Sequence, residues 1–183
     1  MPRRHAPNQN RQSGLPPALL AGLGVVLVVF LVAFALQGSL GAPTKKASSQ
    51  VDFVSNDFSG KSIRLSDYRG KTVLVNLWAS WCPPCRAEMP DLIKYYNDHQ
   101  ADGLVLLSIN SQDNMTSAQQ FVREKQMTFS VLFDPDGKVG QIFRTDGLPD
   151  TFVIDRAGNL RFSWTGQISP TILELRVTPL LSQ

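Results

Sequence analysis

Cys82 and Cys85 are the only two cysteines among 183 residues, and two prolines separate them in Trp81-Cys82-Pro83-Pro84-Cys85. The motif follows the apolar run Val73–Trp78 and precedes a stretch with helical periodicity. A strand that hands two cysteines to the first turn of a helix makes a reversible dithiol. Backbone N–H groups and the helix dipole favour the thiolate of the first sulfur, the form that attacks disulfides, and the second thiol closes the ring. A structural zinc site needs four ligands, and His5 and His99 are the only histidines available to join the pair. Covalent haem attachment needs a histidine directly after Cys85, where Arg86 stands. A purely structural disulfide closing so small a ring adds little through chain entropy. Redox chemistry is the reading that remains, with copper binding as its rival, and it requires no cofactor.

The rest of the chain alternates strand and helix patterns. Val73–Trp78 is continuously apolar apart from Asn76, which predicts a strand buried on both faces. Pro83 and Pro84 suit the first turn of a helix, where no N–H is needed, and Met89, Leu92, Ile93 and Tyr96 recur at helical spacing up to Asp102-Gly103. Strands are expected at 63–65, 104–109, 129–133, 151–154 and 160–164, the last two forming a hairpin around Asp155-Arg-Ala-Gly-Asn159. Helices are expected at 117–126, with Ala118, Phe121 and Val122 inward, at 138–143, and as one unbroken element over 170–181.

Three blocks resemble the TlpA/ResA-like thioredoxin family: Phe58-Ser-Gly-Lys-Ser-Ile-Arg-Leu-Ser-Asp-Tyr-Arg-Gly-Lys71, Val73 to Pro90 around the cysteines, and Gly147-Leu-Pro-Asp-Thr-Phe-Val-Ile-Asp155. The resemblance covers roughly Val51 to the C-terminus. It implies an α/β thioredoxin-like fold with a central mixed β-sheet flanked by helices. An N-terminal β-hairpin and a helix–strand insert within 111–133 are expected with it. It further implies that Pro149 is a cis-proline beside the dithiol, leaving the backbone of Leu148 free to pair with a bound peptide.

Roles follow for single residues. Cys82 is the expected exposed nucleophile and Cys85 the resolving thiol. Burial raises the pKa of a thiol, so Cys85 needs a base, and Glu88, three residues on and on the same helix face, matches the acidic residue that follows the motif in ResA-like proteins. The competing reading makes Glu88 an exposed first-turn carboxylate that only favours the helix dipole. Many thioredoxins carry a buried aspartate six residues before the first cysteine, where this chain has Asn76, an amide that cannot carry a proton. Pro83 and Pro84 leave the Cys85 N–H as the main backbone donor for the Cys82 sulfur. The thiolate is then less stabilised, which favours a reductant with a potential nearer about −270 mV than that of a strong oxidant. Trp81, with Pro83, Pro84, Leu148 and Pro149, is expected to face the substrate, and Trp78 to be core.

Ahead of these blocks, Ala18–Leu36 carries no charge, and at 1.5 Å per residue it just spans a hydrocarbon layer of about 30 Å. A cytoplasmic tail (1–17), a single transmembrane signal anchor (18–37), a flexible linker (38–50) and a domain (51–183) are expected. Arg3, Arg4 and Arg11 stay inside by the positive-inside rule, which puts the domain on the extracytoplasmic side of the cell membrane. A cleaved signal peptide ending near Ala33-Phe34-Ala35 is the alternative, and the length of the apolar run favours the uncleaved anchor. The overall pI of about 9.0 misleads, because all 15 acidic residues lie at or after Asp52 with only 13 of the 18 basic ones. The domain is near −2, so nucleic acid is not an expected partner.

These readings converge on an extracytoplasmic thiol–disulfide oxidoreductase that reduces protein disulfides. The resemblance implies a membrane dithiol electron donor and apocytochrome c as one substrate. A thiol peroxidase would want a threonine three residues before its reactive cysteine, where Ala79 stands. A copper-binding assembly factor would want a well-placed histidine and three residues between its cysteines.

Overall fold

The computed structural model describes residues 50–182. The tail, the anchor and all but the last residue of the linker expected from the sequence lie outside the described residues. Among the described residues, no helix is long and apolar enough to cross a membrane.

Seven strands form one mixed sheet in the order β2-β1-β5-β4-β3-β6-β7: β1 (Val54–Asp57), β2 (Ser62–Arg64), β3 (Thr72–Trp78), β4 (Leu104–Ser111), β5 (Ser130–Asp134), β6 (Asp150–Ile154) and β7 (Leu160–Thr165). β3, β4 and β5 run parallel, and the other pairings are antiparallel. All seven residues of β3 are buried, as its apolar run requires, because helices cover both faces of the sheet. β1 and β2 pair as the expected N-terminal hairpin.

One face of the sheet carries α1 (Pro83–His99), α2 (Met115–Lys125), α4 (Pro170–Arg176) and α5 (Thr178–Leu181). Its core gathers Leu74, Trp78, Cys82, Cys85, Met89, Phe121, Leu173 and Leu181. The other face packs Phe53, Leu65, Val75, Leu77, Leu132 and Phe152 against Val139 of α3 (Lys138–Phe143). α2 and β5 form the expected insert and extend the sheet beyond β4. Asn114 starts α2 as its cap, its side-chain oxygen accepting from Thr116 N and Ser117 N, so the helix begins two residues ahead of the expected 117.

Three further details differ from the sequence reading. The expected single C-terminal helix is two, broken at Val177, and Pro179 explains the break: it has no N–H to continue the ladder, and its ring clashes with the carbonyl four residues earlier. On α1 the inward stripe is Cys85, Glu88, Met89, Leu92 and Tyr95, while Ile93 and Tyr96 are only half-buried. Tyr95 takes the core place because its hydroxyl reaches Thr178 Oγ1 at 2.9 Å, which satisfies a phenol that would otherwise be costly to bury. Val122 is half-buried, whereas Ala118 and Phe121 point inward as expected.

Candidate active site

The dithiol sits where β3 ends and α1 begins. Cys82 is the cap residue of α1, in an extended conformation, and Pro83 and Pro84 occupy the first turn. The two cysteines are joined in a disulfide, with Cα atoms 5.3 Å apart. The Cys85 N–H donates to Cys82 Sγ at 3.3 Å, the backbone bond that the Pro-Pro dipeptide leaves available.

Cys82 is not exposed as expected. Only 2% of its surface is accessible, and Cys85 is fully buried. Trp81, Pro83 and Pro84 hold the exposed positions around it. Trp81 is 59% accessible, and its indole N–H donates to the carbonyl of Gln112 at 3.0 Å. Trp78 lies in the core, with its ring 5.2 Å from that of Phe121. The guanidinium of Arg86 covers the same Phe121 ring at 4.7 Å and also donates to Ser80 O.

Glu88 is buried with 0% accessibility, so it is not the exposed first-turn carboxylate of the competing reading. One oxygen accepts from Asn76 Nδ2 at 2.9 Å and the other from Ile168 N at 2.8 Å. Burial pushes its carboxyl up to about 7, against the pull of these two bonds. Glu88 and Cys85 share the buried face of α1, three residues apart, which sets their Cβ atoms about 5–6 Å from each other. Asn76 also donates to Thr151 Oγ1 at 3.1 Å, tying β3 to β6 one residue beyond Asp150. Its Oδ1, also buried, has no partner among the described residues.

The Leu148–Pro149 peptide bond is cis, as the resemblance implied. Pro149 is buried and Leu148 half-buried, packed against both cores. The adjoining Asp150 is buried and accepts hydrogen bonds from the hydroxyls of Thr145 and Thr165. Burial holds its carboxyl above the usual range against those two bonds.

Sequence reasoning missed Asp113. Its carboxylate accepts from Ser80 N at 2.5 Å, Ser80 Oγ at 3.0 Å, Asn110 Nδ2 at 2.9 Å and Asn114 N at 2.7 Å. This one side chain lashes the loop after β4 to the turn that carries Trp81 and Cys82. An acid in a polar loop carries no sequence signal of such a role, since Ser80, the partner that ties it to the catalytic turn, lies 33 residues away along the chain. His99, the histidine a copper site would draw on, stands at the last residue of α1, about 25 Å along the helix from Cys82, held between Asp102 and Glu174.

A model of the AhpC/TSA family matches residues 45–163. The chain belongs to that family. Its relatives include thiol–disulfide oxidoreductases. The ResA protein of Geobacillus kaustophilus is 35% identical over 127 residues, 69% of this chain and 73% of that protein. The thiol:disulfide interchange protein HelX of Rhodobacter capsulatus is 37% identical over 114 residues, 62% of each chain. Among solved structures, a thiol:disulfide interchange protein DsbE from Chlorobium tepidum superposes with a TM-score of 0.68 at 28% identity, covering 73% of this chain and 96% of its own. This AhpC/TSA-family chain is a thiol–disulfide oxidoreductase with a thioredoxin-like fold.

Proposed function

We propose that the chain reduces disulfides in other proteins, with Cys82 as nucleophile, Cys85 as resolving thiol and Glu88 as the base that serves Cys85. The observation that carries this reading is the bonded Cys82–Cys85 pair at the start of α1, with a buried carboxylate one turn further along the same face. In the reduced protein the Cys82 thiolate attacks one sulfur of a substrate disulfide. A mixed disulfide forms, and the other substrate sulfur leaves as a thiolate and takes a proton. Glu88 accepts the proton of Cys85, whose thiolate attacks Cys82 Sγ. The substrate's second sulfur is released and the 82–85 disulfide closes, so two electrons have passed to the substrate. A donor dithiol runs the same exchange backwards to restore the enzyme.

Trp81, Pro83, Pro84, Leu148 and Pro149 form the substrate-facing surface in this proposal. The exposed indole and prolines beside an otherwise buried sulfur support that role, since a partner must supply apolar contact to reach Cys82. The apolar run 18–36 and the arginines before it support a membrane anchor with the domain outside the cytoplasm, in contact with lipid through that segment. The donor is then a dithiol carrier of the membrane, and apocytochrome c, whose cysteines must be reduced before haem attachment, is a substrate the resemblance favours.

The test is to express the full chain with Cys85→Ser in its own envelope and identify what is disulfide-bonded to Cys82. Capture of cysteine-pair proteins together with a membrane thiol carrier is the expected result. Recovery of Cys82 only as free thiol or sulfenic acid overturns the reading.

A further inference from the structure

A cavity of about 240 Å³ opens between the loop after β4, α3 and the loop that leads into Pro149. β4 ends and β6 begins at the sheet edge where β3 delivers the cysteines, as the Trp78↔Asn110 and Leu77↔Asp150 pairings show. Two wall residues touch elements already assigned to the site. Gln112 receives the Trp81 indole on its carbonyl, and Leu148 is joined to Pro149.

The cavity depends on small residues and a constrained backbone. Gly137 has a φ of +68°, which favours glycine, and a Cβ at Gly140 would lie 2.9 Å from Thr145 Cγ2, so glycine lets α3 approach the loop at Thr145. Gln112 has φ of +52°, a left-handed conformation that non-glycine residues seldom adopt and that is often found at functional sites. Its N–H, donating to Asp134 O at 3.0 Å, and its carbonyl, accepting from Trp81, hold it there.

Size and charge point to the occupant. Sites for drug-sized ligands run from about 300 to 1,000 Å³, so this space suits a single amino-acid side chain. Its lining offers the amides of Gln112 and Gln141, the hydroxyl of Thr145 and one formal charge, the exposed carboxylate of Asp146. We infer that the cavity is a specificity subsite for one side chain of the substrate peptide next to its target cysteine, and that it favours lysine or arginine over an acidic residue. The inference rests on the reductase reading above and adds the substrate preference of that site.

The test uses the full-length reduced protein in detergent with two disulfide peptides. They are identical except for lysine or glutamate at the residues on either side of one cysteine. An aromatic disulfide without a peptide chain, 5,5′-dithiobis(2-nitrobenzoate), is the third substrate. The lysine peptide is expected to show kcat/KM roughly fivefold above the glutamate peptide, as suits an exposed ion pair, and the ratio should shrink at high salt. Asp146→Asn should bring that ratio near one, and Asp146→Lys or Gln141→Lys should push it below one. Because the readout is a ratio, a variant that folds poorly lowers both rates without imitating the effect. Equal rates for the two peptides in the wild type, or a lysine preference that survives Asp146→Lys, overturns the subsite while reduction of the aromatic disulfide leaves the reductase reading standing. Failure to reduce any of the three overturns both.

Discussion

Asn76 Nδ2 lies 2.9 Å from Glu88 Oε1, with both side chains buried between β3 and α1. An amide suits this place because it serves either protonation state of its neighbour. Its N–H donates to a carboxylate, and after a flip its carbonyl can accept from a carboxylic acid. Asn76 Oδ1, unpartnered among the described residues, is the atom such a flip would bring into use. An amide cannot carry a proton, but it can stabilise Glu88 in either state.

Glu88→Gln tests the base directly. Glutamine preserves shape, keeps an acceptor for Ile168 N–H, and can donate to Asn76 Oδ1 once that amide flips, so the variant should fold. The resolving step in the wild type should quicken as pH rises through about 7, where Glu88 becomes able to take a proton. In the variant that limb should vanish and the rate at pH 8 should fall roughly a hundredfold, the low end of general acid–base contributions. Stopped-flow release of substrate thiol from a preformed Cys82 mixed disulfide measures it, and an unchanged profile removes Glu88 from the mechanism.

The same carboxyl makes stability depend on pH. Its pKa is raised from 4.5 unfolded to about 7 folded, so the native state holds a proton that the unfolded chain gives up between those values. Stability must therefore fall as pH rises from about 4.5 to 7 and level off above, by an amount on the order of 3 kcal/mol. Urea unfolding of the oxidised protein at pH 5 and pH 8 should show this loss, and Glu88→Gln should show much less of it. Equal slopes in the two proteins would mean that Glu88 ionises normally.

Much of this arrangement was legible in the sequence, and the reasons differ from residue to residue. The run Val73–Trp78, apolar apart from Asn76, reads as a buried strand, and Pro83 and Pro84 suit the first turn of a helix, so the dithiol's place followed from local chemistry. Glu88 was findable because its relation to Cys85 is also local, three residues along one helix face. The burial of Cys82 was not, because it depends on how distant segments pack around the start of α1. Asp113, Thr151 and the Ile168 N–H escaped for the same reason: each meets its partner across the sheet or from another loop. The break at Val177 has its signal in Pro179, but the apolar spacing of Ile172, Leu173, Leu180 and Leu181 continues across it and masks that signal.

Trp81→Ala should separate recognition from chemistry. The indole is 59% accessible and gives up one exposed hydrogen bond on truncation, so Trp81→Ala should change stability by less than about 1 kcal/mol. A tryptophan buried at the centre of a partner interface contributes on the order of 2 kcal/mol, roughly thirtyfold in affinity. KM for a protein disulfide should rise by about that factor, while kcat/KM for a small aromatic disulfide stays within about twofold. An equal loss on both substrates would show that the indole acts on the sulfur and not on the partner.

Asp113 should behave as the fastening of the catalytic turn. Burial raises its pKa, but the bonds from Asn110, Ser80 and Asn114 outweigh burial and hold the carboxyl below its usual range. A depressed carboxylate contributes stability that is present above its unfolded pKa of about 3.8 and is lost as pH falls towards the folded value. Asp113→Ala should cost about 1–2 kcal/mol at pH 7, the lower part of the range for unpaired donors because the loop is partly open to solvent. Asp113→Asn, which keeps one acceptor, should cost less, and the gap between wild type and Asp113→Ala should narrow below pH 3.8. The functional signature is a rise in KM for protein disulfides like that of Trp81→Ala, since the Gln112 carbonyl that holds the indole belongs to the same loop. If Asp113→Ala loses stability at pH 7 but keeps the wild-type KM, the loop braces the fold without positioning the substrate surface.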